Sequence, residues 1–89
     1  MAFNVFLHPK ANDFLEKLDT ELRGRIKDKV RELCSNPESR GERLKLSHYY
    51  KVRVGDYRII YEIWHKEKKV IILFIGHRSK VYDDFTKLI

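Results

Sequence analysis

Cysteine is nearly absent from this chain of 89 residues, where Cys34 stands alone. No disulfide can close within the chain, and no cysteine-rich zinc pattern can form. At helical spacing with Val30 and Leu33, Cys34 reads as a small core hydrophobe. The four histidines, at 8, 48, 65 and 77, share no metal-binding spacing, so neither a metal nor another cofactor is expected. No apolar run approaches the roughly 20 residues of a membrane helix. The opening MAFNVFLHPK lacks the basic-then-apolar order of a signal peptide, which makes the cytoplasm the expected location. Repeats, linkers and low-complexity segments are missing too. Residues 1–89 therefore read as one small domain with a single core.

The residues that are present suit a folded chain. Hydrophobic residues make up 43% and charged residues 36%, which excludes wholesale disorder. Net charge is +6 with a pI near 9.6. The excess is uneven. Residues 1–44 hold nine Lys and Arg against eight Asp and Glu, while residues 45–89 hold ten against five. A basic second half points to nucleic acid or an acidic protein as partner.

Periodicity sets out the elements. FNVFL (3–7) alternates Phe3, Val5 and Leu7 on one side, as a strand does. Pro9 suits a first helical turn, and Ala11, Phe14, Leu15 and Leu18 then fall on one helix face. Asp19 or Thr20 caps a second helix striped by Leu22, Ile26, Val30 and Leu33, which SNPESRG ends. Gly24 costs that helix about 1 kcal/mol relative to alanine. YYKVRV (49–54) and YRIIYEIW (57–64) flank Gly55-Asp56, a two-residue hairpin of type II′. HKEKK turns the chain into VIILFI (70–75), apolar throughout like a central strand covered on both faces. Ser79 caps a short terminal helix anchored by Tyr82, Phe85 and Leu88 or Ile89. The predicted class is α+β: an N-terminal strand, an αα-hairpin, then an antiparallel β-meander with a short C-terminal helix.

The hairpin carries the main functional signal. Its register sets Val54 against Tyr57, Arg53 against Arg58, Val52 against Ile59 and Tyr50 against Tyr61. Tyr50, Val52, Val54, Tyr57, Ile59, Tyr61 and Ile63 then share the core face. Lys51, Arg53, Arg58, Ile60 and Glu62 share the other. Like charges directly opposed cost stability. Guanidinium groups grip phosphate in bidentate fashion, lysine adds a point charge, and an aromatic ring nearby can stack on a base. His77, Arg78, Lys80 and Tyr82 are expected to emerge beside the cluster. Lys and Arg also line strand faces for solubility and edge protection, and Tyr82 suits a core anchor equally well. Glu62 is expected to neutralise the cluster rather than act in catalysis. Trp64 is expected to pack at a strand end, and His8, His48 and His65 to serve as cap, loop and turn residues.

LKLSHYYKVRVGDYRIIYEI, followed by GHRSKVYDDF, resembles the RelE/ParE superfamily of toxin–antitoxin toxins. The shared pattern is a Leu-basic-Leu lead-in, Tyr-basic-x-basic-x-Gly-x-Tyr-Arg-x-x-Tyr, then His-Arg-x-x-x-Tyr. RelE-like members are ribosome-dependent mRNA interferases, whereas ParE-like members poison DNA gyrase. The resemblance implies a microbial-ribonuclease-like RelE fold, mRNA cleavage in the ribosomal A site, and a cognate RelB-type antitoxin as partner. By position it carries catalytic roles onto Lys51, Arg53, Arg58, Arg78 and Tyr82, with Lys51 as base because neighbouring cations lower a lysine's pKa. Lys45 and Lys80 complete the expected RNA-binding set. Two departures stand out. Arg53 replaces a lysine of the RelE site and holds its proton too firmly to be a ready base. Glu42 and His77 match the acid–base pair of the YoeB branch and offer an alternative division of labour.

Overall fold

The computed structural model describes residues 3–44 and 47–77. In chain order the elements are β1 (Asn4–Leu7), α1 (Pro9–Glu16), α2 (Thr20–Ser35), α3 (Pro37–Arg40), β2 (Glu42–Arg43), β3 (Tyr49–Val54), β4 (Tyr57–Trp64) and β5 (Lys69–His77). The strands form one sheet in the order β1-β5-β4-β3-β2. The α+β class holds, with helices packed on one face. The C-terminal helix expected from Ser79 lies outside the described residues.

Both long helices start as their sequences dictate. Pro9 opens α1, and the His8 ring accepts a hydrogen bond from the Lys10 backbone N–H at 3.2 Å. At α2, Asp19 is the cap, its carboxylate accepting from the Leu22 N–H at 2.9 Å. Ala11 and Leu15 of α1, with Ile26 and Leu33 of α2, are buried against Val52, Val54, Ile59, Tyr61, Val70, Ile72 and Ile75 of the sheet. Leu22 and Val30 pack on this core from its margin, as does Leu18 just beyond α1. Cys34 is half-buried, its thiol 3.8 Å from the Val30 carbonyl one turn back.

The hairpin register is the one that the alternation requires. Arg53 lies opposite Arg58, Val52 opposite Ile59 and Tyr50 opposite Tyr61. Gly55 has φ of +58°, and Lys68 is the one non-glycine residue with positive φ among those described. Asp56 therefore keeps negative φ, which makes the turn type II′ rather than I′.

Three features depart from the sequence expectation. The first is β1, which joins the sheet parallel to β5, so the sheet is mixed rather than a pure meander. This parallel neighbour places β5 between β1 and β4, and its all-apolar run fits that interior position. The second is the segment SNPESRG, which holds more than a helix end. Pro37 begins a single turn, α3, and Glu42–Arg43 then adds an edge strand antiparallel to β3. The third is a bulge in the β4–β5 ladder. Ile60 pairs with Phe74 and Tyr61 with Ile72, leaving Leu73 as the extra residue. The bulge turns Phe74 to the side away from the helices. There it forms a second, smaller core with fully buried Ile60, flanked by Leu44, Tyr49 and Leu73.

Candidate functional site

The face of the sheet opposite the helices brings three of the expected cations together. Lys51 lies opposite Ile60, and Arg53 opposite Arg58, so all three point the same way. Two strand positions separate Lys51 from Arg53, a rise of about 7 Å. Arg53 is exposed, and its Nε donates to the Gly55 carbonyl at 3.2 Å, which folds the side chain back over the turn. Arg58 is half-buried and faces Gly76 on β5, which offers no side chain to shield or pair it. Its Nε is buried and finds no acceptor among the described residues. A buried donor left in this way costs about 1–3 kcal/mol.

A carboxylate joins the cluster, but it is not the expected one. Glu62 lies farther along β4 and accepts a hydrogen bond from the Trp64 indole at 2.7 Å. Glu42, opposite Lys51 in the β2–β3 register, takes the neutralising place with its Oε2 3.9 Å from the Lys51 ammonium. Both groups keep solvent contact, so the pair itself contributes no more than about 1 kcal/mol to stability.

The position of Glu42 is built from behind. Tyr61 is fully buried and donates a 2.7 Å hydrogen bond to the Pro37 carbonyl, tying α3 to β4. Burial, and secondarily the neighbouring Tyr50, push its phenol well above the ordinary tyrosine range. Gly41 then lets the chain pass over Tyr61. A methyl group there would meet the Tyr61 hydroxyl and lie 2.9 Å from the Lys51 carbonyl. Only a residue without a Cβ fits at this crossing, and the next residue is Glu42. This anchor was not expected from the sequence, although Gly41 immediately before the basic lead-in was its visible signal.

His77 does not join Lys51. It pairs with Tyr57 across the β4–β5 ladder, and the two rings meet edge to face at 5.6 Å. Tyr57 belongs to the helix-covered side, where it also contacts Phe14 at 6.0 Å. The structure thus brings together Lys51, Arg53, Arg58 and Glu42 and sets His77 on the other side of the sheet. Lys45, Arg78, Lys80 and Tyr82 lie outside the described residues. His8, His48 and His65 take the cap, loop and turn positions expected. Trp64 stands at its strand end 43% exposed rather than packed away. No described helix is long and apolar enough to cross a membrane.

Comparison with known proteins shows what the chain is similar to. The family model for the ParE toxin of the type II toxin–antitoxin system parDE matches residues 5–82. No curated protein sequence matches the chain. Among solved structures, the free Escherichia coli toxin RelE, carrying two substitutions, is similar at 25% identity and TM-score 0.80, covering 100% of this chain and 99% of that one. The toxin–antitoxin complex RelBE2 from Mycobacterium tuberculosis gives 26% and 0.78, over 88% of this chain and 100% of its counterpart. The archaeal RelE–RelB complex from Pyrococcus horikoshii OT3 also gives 26% and 0.78, over 91% and 100%.

Proposed function

The chain belongs to the ParE toxin family, within the RelE/ParE superfamily of type II toxin–antitoxin toxins, and from that premise we propose that it is a ribosome-dependent mRNA endoribonuclease. The observation that carries the proposal is the open-face cluster. Arg53 and Arg58 face each other with Lys51 beside them, and the buried Arg58 Nε lacks an acceptor among the described residues. A phosphate oxygen would supply that acceptor and relieve the repulsion of the paired guanidinium groups.

Cleavage would begin with attack of a ribose 2′-hydroxyl on the adjacent phosphorus. The P–O bond to the 5′-oxygen breaks, leaving a 2′,3′-cyclic phosphate and a free 5′-hydroxyl. The step needs a proton acceptor for the 2′-hydroxyl, positive charge around the developing phosphorane, and a proton donor for the leaving oxygen. Arg53 and Arg58 supply the positive charge. Removal of the proton falls to the Lys51–Glu42 pair, which stands on the same face of the sheet. Arg78 would hold charge near the leaving oxygen, which would take up its proton from solvent, and Tyr82 would orient the base or stack. Lys45 and Lys80 would contact the RNA backbone. A cognate RelB-type antitoxin, acidic and anchored by apolar side chains, would bind the toxin and hold it inactive.

A second reading, gyrase inhibition without nuclease activity, draws on the match to the ParE family model itself. Both readings are tested by mapping transcript 5′ ends in a translating extract, beside a DNA supercoiling assay. New 5′ ends that appear only with ribosomes, and vanish in Arg58→Ala, support the nuclease. Intact transcripts with blocked supercoiling would replace it with the gyrase reading.

A further inference from the structure

At the β2–β3 edge, on the helix-covered side of the sheet, a polar pocket opens at the margin of the core. It has a volume of about 210 Å³ and is lined by Arg43, His48, Tyr50, Ile63 and His65. Arg43 pairs with Tyr50 in the β2–β3 register, so it points away from the neighbouring Glu42–Lys51 pair. Its Nε donates to the Ser47 carbonyl at 2.9 Å, which pins the guanidinium and leaves its two terminal nitrogens without a partner among the described residues. The Tyr50 ring is held by stacking on Tyr61, with centroids 5.5 Å apart and planes 17° from parallel, and its hydroxyl has no described hydrogen-bond partner. The exposed His48 ring has none either. His65 is held at 3.1 Å by Glu38, the one carboxylate that a described ion pair brings to this pocket.

Such a site is rich in donors. A fixed guanidinium fork, a phenolic hydroxyl and the His48 imidazole line a space large enough for one phosphate group, with His65 held beside them by Glu38. We propose that this pocket binds a backbone phosphate of the same RNA strand that occupies the Lys51–Arg53–Arg58 cluster with another of its phosphates. The inference rests on the nuclease reading for the identity of the strand. Its own support is continuity: Tyr50 and Lys51 are consecutive on β3, with side chains on opposite faces, so a strand rounding this sheet edge meets both sites.

The test follows the histidine imidazole signals by NMR in the full chain. The titrants are a single-stranded 2′-deoxy tetranucleotide, which this chemistry cannot cleave, and inorganic phosphate. The tetranucleotide is expected to move the His48 and His65 signals. His48→Gln and Arg43→Gln are each expected to weaken its binding about fivefold to tenfold, the loss of one charge-assisted hydrogen bond. His48 makes no described contact, so that variant folds as the parent does, whereas Arg43→Gln also frees the Ser47 loop. Unmoved imidazoles, or His48→Gln binding as tightly as the parent, would overturn the proposal. A response to inorganic phosphate but not to the tetranucleotide would overturn the RNA assignment. Moved imidazoles with uncut ribosomal transcripts would retain the pocket and remove the nuclease. Cut transcripts with full tetranucleotide binding by His48→Gln would do the reverse.

Discussion

The two faces of the sheet divide the protein's work unequally. The helix-covered face buries a continuous apolar cluster drawn from α1, α2, β3, β4 and β5, with no buried charged side chain among the described residues. The open face mixes a small apolar cluster around Ile60 and Phe74 with Lys51, Arg53, Arg58 and Glu42. One face follows the rule that burial of apolar area stabilises a fold. The other breaks the rule that like charges avoid direct opposition. On the nuclease reading, the covered face answers for stability and the open face for activity, and substitutions can separate the two.

The largest expected effect falls on the open face. Lys51→Ala should slow cleavage about 10²- to 10⁴-fold, because it removes both a cation and one member of the proton-handling pair. Glu42→Gln keeps the cation, and single-turnover rates of the two variants assign the proton: an equal loss in both places it on Glu42. Thermal unfolding of Glu42→Gln should stay within about 1 kcal/mol of the parent, as suits an exposed pair. A collapse of stability there would break the division between the faces.

Behind the site the expected effects become structural. Gly41→Ala should destabilise by about 1–3 kcal/mol through overpacking against Tyr61, measured by urea unfolding. It should also misplace Glu42 and so lower activity, which makes Gly41 the residue that couples the two faces. Tyr61→Phe should cost about 1–3 kcal/mol by leaving the Pro37 carbonyl unpaired. The Tyr61 phenol is raised in the folded state, so its contribution is complete below the unfolded tyrosine pKa of about 10. That contribution falls as pH rises through this value toward the folded one. Unfolding measured from about pH 9 upward should therefore show a steeper alkaline loss in the parent than in Tyr61→Phe. The smallest effect lies on α2, where Gly24 is exposed with nothing near its Cβ position. Gly24→Ala should stabilise by about 0.5–1 kcal/mol, seen as a higher Tm with unchanged cleavage.

The same contrast explains what was legible in the sequence. On the covered face, periods of 3.6 and 2 revealed α1, α2, β3, β4 and the hairpin register, because each of those side chains is sorted by a single requirement, burial. Strand partnership was not legible. β1 pairs with β5 across most of the sequence, Asn4 with Lys69, and local periodicity carries no record of that pairing. Nor does the bulge at Leu73 leave a mark, since a run apolar at every position looks the same with or without it. On the open face, Lys51, Arg53 and Arg58 were readable from alternation alone. Glu42 entered only through family resemblance, because its place depends on α3, on a two-residue edge strand and on Gly41 crossing Tyr61. His77 was misjudged for a related reason. It follows Gly76, and ladder register rather than proximity in sequence sends its ring to Tyr57.

On the nuclease reading, the open-face cations serve RNA cleavage and not folding. Arg58→Ala tests it most directly, with single-turnover cleavage of ribosome-bound message measured beside thermal unfolding of the same preparation. The rate is expected to fall about 10²- to 10³-fold, the cost of one charge-stabilising donor, with Tm unchanged or raised as the Arg53–Arg58 opposition is relieved. Cleavage at the parent rate, or a loss of activity that merely tracks a fall in Tm, would contradict it.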